Sequence, residues 1–345
     1  MTASTIEFSL PAHLERGRPP EADGRDRDDI RLMVGSRSTG VILDDRFRNL
    51  PAYLREGDAL VLNVSATLPA ALPAIAADNL RVLVHLSSSL PGGLWAVEIR
   101  TPDGHGSVPG PDLHPQIVAL PEGGQLELLS RHPRVRRLWL ASLHLPTHVE
   151  DYLRSRGRPI RYRYAEGDWP LSAYQTVYAT EPGSAEMPSA GRPFTSEILV
   201  QVASLGVTVL PITLHSGVAS MEEGEEPVEE RYRVSASTAV AVNALRGRGG
   251  RVVAVGTSTV RALETVVEES GLLHPGSGYT DLVIRPDRPL RAVDALLTGW
   301  HEPRASHLML VESVGGRPLL AEMYHRAVDS GYAWHEFGDS SLILS

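Results

Sequence analysis

From residue 196 to residue 269 the chain alternates helix and strand patterns at short, regular intervals, and a chain written this way buries both only by layering helices over a sheet. Residues 196–205 form an amphipathic helix capped by Thr195 or Ser196 and stopped at Gly206, and the strand VTVLPITL follows from Val207. The pattern then predicts a helix over 235–245, a strand over 251–255 and a helix over 258–269. Before this region, DALVLN at 58–63 predicts a buried strand entered from the turn Arg55-Glu56-Gly57, with another strand at 40–43. Between the two lies a different texture. Short β-like runs at 81–86, 94–99, 126–129 and 137–140 are separated by Pro- and Gly-rich turns such as PDGHGSVPGPDLHP, and a helix through Leu153 leads back to the alternation. The expectation is a mixed, layered α/β main domain from residues 1–72 and 151–345, with a small β-rich domain inserted at 73–150.

Residue inventory removes whole classes of chemistry. Cysteine is absent, which excludes disulfides, thiolate nucleophiles and cysteine-bound metals. Lysine is absent too: all 33 basic residues are arginine, so Schiff-base chemistry and the lysine of a phosphate-binding Walker loop are excluded. A net charge of −9 opposes a wide nucleic-acid surface, although Arg131, Arg134, Arg136 and Arg137, and then Arg154, Arg156, Arg158, Arg161 and Arg163, form two local clusters. Those clusters are either a limited phosphate footprint or solvated faces. The start MTASTIEFSL has no basic or apolar character, and no apolar run approaches the roughly 18 residues of a membrane span. A cytoplasmic monomer with no membrane contact is expected.

Three stretches could carry a reaction. In VVAVGTSTVRALET a strand, a glycine turn and a hydroxyl-rich helix start place Gly256, Thr257, Ser258 and Thr259 where backbone N–H groups would meet a carboxylate or phosphate. Arg261 on the first turn would add a bidentate fork. The other reading is a capped helix with a surface arginine. His215 in TLHSG and His301 in DALLTGWHEP both follow strands, the position where α/β sheets put ligands and where an imidazole could move a proton. Each could equally be a satisfied structural histidine, and Trp300 either a face for a base or core. The acidic run Glu222, Glu223, Glu225, Glu226, Glu229 and Glu230 reads as a loop, inert or a lid. Metal binding is not expected: His301, Glu302 and His307 do not make HExxH, and no other histidine–carboxylate spacing points to one site. RGRGGR precedes a strand, so it is not a dinucleotide fingerprint.

YQTVY at 174–178, PSAG at 188–191, TLHSG, AVGTSTVRALE, VDALLTGWHEP, Tyr324, Tyr332 and FGD at 337–339 resemble, in collinear order, the family of S-adenosylmethionine:tRNA ribosyltransferase-isomerases of queuosine biosynthesis. The resemblance runs from Phe8 through Arg31-Leu32 and GDALVLN to the last strand, and it implies an α/β body with an inserted barrel-like domain. It implies further that the sulfonium of S-adenosylmethionine acidifies the ribose 5′-carbon, that a base removes that proton, and that adenine and methionine leave. The rearranged ribosyl fragment would end on the aminomethyl group of a 7-deazaguanine in tRNA, with no metal or redox cofactor. Carried onto this chain, the catalytic groups would be His215 or His301 for proton transfer, with Arg261, Thr257 and Ser258 on the methionine carboxylate or a phosphate. Trp300 would lie near adenine, and Gly256, Tyr174, Gln175, Ser189, Gly191 and Asp339 would complete the pocket.

The chain also departs from the family pattern. Two expected arginines are Ala66 and Ala71, Arg192 and Pro193 replace a Leu-His pair before Phe194, SGVASM at 216–221 replaces a glycine-rich run, and Gly299 replaces an asparagine. A histidine pair falls, by an approximate alignment, on Glu226 and Glu229. The lost arginines reduce phosphate contacts in particular. They leave open a small 7-deazapurine or other amine as acceptor, and a nucleoside-binding protein without catalysis.

Overall fold

The structure is a computed structural model that describes residues 6–218, 228–303 and 305–344. The chain first runs through β1 (Arg31–Ser36), β2 (Ile42–Arg46), β3 (Ala59–Asn63) and the short β4 (Ser65–Thr67). Next come β5 (Ala71–Ile75), β6 (Arg81–Ser89), β7 (Leu94–Asp103), β8 (Gly106–Pro109), β9 (Gln116–Ala119), β10 (Gln125–Arg131) and β11 (Leu138–His144). After α1 (Val149–Arg156) and β12 (Glu181–Ser184) follow α2 (Ser196–Ser204), β13 (Thr208–Leu214), β14 (Glu230–Val234), α3 (Ala236–Arg246), β15 (Val252–Val255) and α4 (Thr257–Val266). The remainder is β16 (Gly276–Thr280), β17 (Ala295–Gly299), α5 (Ser306–Gly315), α6 (Arg317–Asp329) and β18 (Ser340–Leu344).

Nine strands build the main sheet in the order β16-β14-β13-β3-β15-β17-β18-β1-β2. Its centre, β13, β3, β15 and β17, is parallel, so four carboxyl ends emerge on one side. A parallel strand is covered on both faces, which is why β3 reads as the unbroken apolar run ALVL and is buried throughout. Val61 and Ala254 face a core shared with α4, α5 and α6, whereas Leu60 and Leu62 face Phe47, Leu50 and α2 on the other side. The layered α/β architecture expected from the alternating patterns is therefore the one observed.

A closed barrel accompanies this sheet. Strands β5, β6, β7, β11, β10 and β9 pair in a ring, with β8 added outside on β7. Closure leaves the six ring strands without a free edge, and Val84, Val97, Leu126, Leu138 and Trp139 are buried in one apolar cluster with their neighbours. The sequence patterns miss β1, β4, β5, β8, β9, β12, β14 and β16, and Glu230, expected in an acidic loop, begins β14. Pro73 interrupts β5, and β8 and β9 span four residues each, too few to show a period. The helix expected at 258–269 starts one residue earlier and stops at Val266, while Thr195 is the cap of α2, its side chain accepting from the Ile198 N–H at 3.2 Å.

Leu60 is fully buried at the centre of the main sheet, whereas Val200 on α2 is 64% exposed. Leu60→Ala is expected to cost about 2–5 kcal/mol of stability, and Val200→Ala less than about 0.5 kcal/mol. Urea unfolding midpoints of the two variants check this; equal midpoints would mean that the central strand is not the core.

Candidate active site

The carboxyl ends of β13, β15 and β17 open into one cavity, lined from β13 by Ser216 and Gly217, from β15 by Gly256, Thr257 and Ser258, and from β17 by Gly299, Trp300, His301 and Glu302. Ser189 and Glu186 close a second side, the barrel contributes Val135 and Arg137, and the segment before β18 contributes His335 and Glu336. Gly256 makes the turn possible. Its φ of +86° is strained for any L side chain, and the turn brings Thr257 and Ser258, the first residues of α4, to the cavity wall.

Asn63 holds this arrangement together from the end of β3. Its Nδ2 donates to the Leu214 carbonyl at 2.8 Å and to the Ser258 hydroxyl at 3.2 Å, while its Oδ1 accepts from the N–H groups of Leu214 and Ser65. The family-like motif GDALVLN contains this residue, but nothing in a strand-ending asparagine signals its role before β13 and α4 are placed beside it.

His215 lies one layer behind the wall and does not line the cavity. Its Nε2 meets Arg231 at 3.0 Å and its Nδ1 meets Ser65 at 2.8 Å. Arginine only donates, so Nε2 accepts and Nδ1 carries the proton toward Ser65. Ser65 bonds Ser184, which accepts from the Ser216 N–H, so the histidine positions the wall. Burial, then the charge of Arg231, push its pKa down to about 4. His301 does line the cavity. Burial, then His307 stacked at 5.1 Å, push it down to about 3, and its Nε2 meets the Thr298 hydroxyl at 3.1 Å. Both imidazoles are therefore neutral.

Several of the expected site residues meet partners within the protein. Arg261 lines the cavity, but its guanidinium is held by Glu230 and by the carbonyls of Leu282 and Thr280, so the fork expected on a substrate carboxylate is occupied. Glu230 in turn accepts from the Gly217 N–H at 2.7 Å, which makes the pair a latch on the β13 turn. Trp300 reaches the cavity yet is only 5% exposed and packs edge-on against Tyr324 and Tyr332. Tyr174, Gln175, Gly191 and Asp339 do not line it. Tyr174 packs on Phe337, and the Gln175 amide pairs with both backbone groups of Thr67. A Cβ on Gly191 would lie 1.9 Å from the Tyr178 hydroxyl, and Asp339 accepts from the N–H groups of Arg31 and Ala333. These four lie outside the cavity lining. Ser189, Gly256, Thr257, Ser258, Arg261, Trp300 and His301 share the cavity.

Carboxylates are the groups that sequence reasoning passed over. Glu186 accepts from Tyr162 and Glu336 from Tyr164, while burial, then the charges of Glu15 and Glu336, push Glu302 up to about 7. A signal was present: the tripeptide Trp-His-Glu occurs at 300–302 and again at 334–336. Both copies reach this cavity, with the Trp334 Nε1 donating to the His301 carbonyl at 3.2 Å.

Of the arginine clusters, Arg131 pairs with Asp112, Arg134 with Glu229 and Asp281, Arg154 with Asp151, Arg156 with Glu122 and Arg161 with Asp168. Much of their charge is thus answered locally. Glu222, Glu223, Glu225 and Glu226 lie outside the described residues. Among those described, no helix is long and apolar enough to cross a membrane.

A cavity at the ends of parallel strands, walled by a glycine turn, a helix start and buried titratable groups and accompanied by a closed barrel, defines an α/β enzyme. The chain belongs to the family of queuosine biosynthesis proteins, whose family model, described as "Queuosine biosynthesis protein", matches residues 3–343. It is similar to the S-adenosylmethionine:tRNA ribosyltransferase-isomerases of Symbiobacterium thermophilum, 36% identical with 100% of both chains covered, and of Thermotoga petrophila, 35% identical with the same coverage. The relative of that name from Thermus thermophilus is 36% identical over 94% of this chain and 97% of its own. The crystal structure of S-adenosylmethionine tRNA ribosyltransferase from Thermotoga maritima matches 99% of this chain and 100% of its own at 29% identity, with a TM-score of 0.55.

The departures from the family pattern acquire places. Ala71 is buried where β5 meets Arg158. Arg192 is 2% exposed, held by Glu21 at 2.8 and 3.0 Å and by the Ala173 carbonyl, so it is a scaffold group rather than a cavity cation.

The depressed pKa of His215 sets a sign for pH dependence. The unfolded imidazole titrates near 6.5 and the folded one near 4, so the unfolded state binds more protons in that window and stability falls as pH drops through it. Thermal melting of the wild type is expected to lose more between pH 7 and 4.5 than that of His215→Asn. Parallel losses would show that His215 is not buried in the neutral form.

Proposed function

We propose that this cavity binds S-adenosylmethionine and that the chain transfers and isomerises its ribosyl group onto a 7-aminomethyl-7-deazaguanine in tRNA, releasing adenine and methionine. Residues 1–72 and 151–345 would form the reaction body and 73–150 an inserted domain. The observation that carries this reading is the convergence of Gly256-Thr257-Ser258 and His301 on one strand-end cavity, in a chain that matches its ribosyltransferase-isomerase relatives from end to end.

The amide groups at the start of α4 and the hydroxyls of Thr257 and Ser258 suit the methionine carboxylate, since unpaired N–H groups and the helix dipole both favour an anion there. Arg261 then acts through Glu230, holding the Gly217 turn that forms the opposite wall. Of the two histidines only His301 lines the cavity, and burial keeps it unprotonated, the form needed to take the proton from the carbon beside the sulfonium. The relatives' names supply tRNA as the acceptor; locally paired arginines and the absence of Arg at 66 and 71 make its grip on phosphate weaker here than the family pattern implies.

Purified protein incubated with S-adenosylmethionine and tRNA bearing the aminomethyl base is expected to release adenine. His301→Ala should slow that release by about 10²-fold or more, and His215→Ala less, because it acts through Ser65 and Ser216. The same assay with the free base separates a tRNA acceptor from a small one. No adenine with either acceptor would sink the reading.

A further inference from the structure

The second Trp-His-Glu copy brings together a group of side chains that the proposed reaction does not use. Glu15 follows the short 3-10 turn Ala12–Leu14 and bridges Trp334, Glu302 follows β17, and His335 precedes β18, so more than 300 residues separate the first from the last. The His335 Nε2 lies 3.6 Å from a Glu15 oxygen and its Nδ1 lies 3.9 Å from a Glu302 oxygen. One ligand atom from each of the three falls within 4.8 Å of the others.

The imidazole is nine-tenths buried, with 7% of its side chain exposed, and its Nε2 has no hydrogen-bond partner. The Tyr164 ring stacks on it at 3.8 Å and 2°, which fixes its plane. A neutral imidazole has one N–H and one lone pair. With a carboxyl group beside each nitrogen, the imidazole can donate to only one of them, and the other faces its lone pair unless a proton or a cation lies between. No arginine among the described residues pairs with Glu15 or Glu302, whereas the buried Glu230 and Glu336 meet an arginine and a tyrosine hydroxyl.

We propose that Glu15, Glu302 and His335 bind a divalent transition-metal ion of the zinc class at the rim of the cavity. One imidazole and two carboxylates suit a borderline cation better than magnesium or calcium, which favour oxygen alone. Bond lengths of about 2.0–2.2 Å require the two glutamates to close in. Both are free to do so, since their side chains are 35% and 25% exposed. Three protein ligands leave a position open, and because Glu302 and His335 line the cavity, that position faces whatever occupies it. The site is independent of the ribosyl-transfer reading, and its readout is metal binding rather than turnover.

The full chain, stripped with a chelator and exchanged into metal-free buffer, is titrated calorimetrically with zinc chloride and, separately, magnesium chloride. The expected result is one zinc per chain and no comparable magnesium uptake. Glu302→Gln and Glu15→Gln should each weaken zinc binding by roughly tenfold or more, while Glu268→Gln, which removes an exposed His274–Glu268 pair on the surface, leaves it unchanged. If His335→Gln does not fold by circular dichroism, the visible absorption of cobalt bound to the wild type reports the same coordination, and its loss in Glu302→Gln supports the site. Zinc binding that is absent from the wild type, or undiminished in both glutamine variants, overturns it.

Discussion

The hydrogen bonds of Asn63 are the constraint on which the cavity depends. A parallel sheet delivers its strand ends to one side, but a shared side is not yet a shared site: the turns that leave those ends must be held in register. Asn63 is 2% exposed and spends donor and acceptor alike on β13, β4 and α4. Buried amides left unpaired are costly, so the side chain that joins these three elements also resists their separation. The glycine turn at 256 and the Ser184–Ser65–His215 relay extend the same wall in two directions.

Electrostatics follow from a chain with arginine as its only strong cation. Arginine binds carboxylates through a rigid fork, and here the forks are largely turned inward: Arg261 on Glu230, Arg192 on Glu21, Arg251 on Asp58. Each such pair ties distant segments, and each removes a cation from the binding surface. The cavity is lined by neutral imidazoles and carboxylates beside Arg137 and Arg261, and burial, then the charges of Glu15 and Glu336, raise Glu302 to about 7.

Much of the fold was legible because its signals are local. The apolar run of β3, the cap of α2 and the glycine before α4 each lie within a few residues, and hydrophobic period and capping chemistry read them directly. The barrel was visible as a texture, while its shortest strands were not. The site was half legible. Ser189, Gly256, Thr257, Ser258, Trp300 and His301 do share the cavity, whereas Tyr174, Gln175, Gly191 and Asp339 lie outside its lining, the Gln175 amide and the Asp339 carboxylate bonded to backbone groups.

By itself the sequence determined the α/β layering, the excluded chemistries and the membership of a family, since each rests on residue identity and short spacing. Only the tertiary structure decided which polar groups are free to act. A side chain's partner is set by long-range contacts, and those contacts gave Arg261 to Glu230, placed His215 behind the wall and carried Glu15 across the chain to His335.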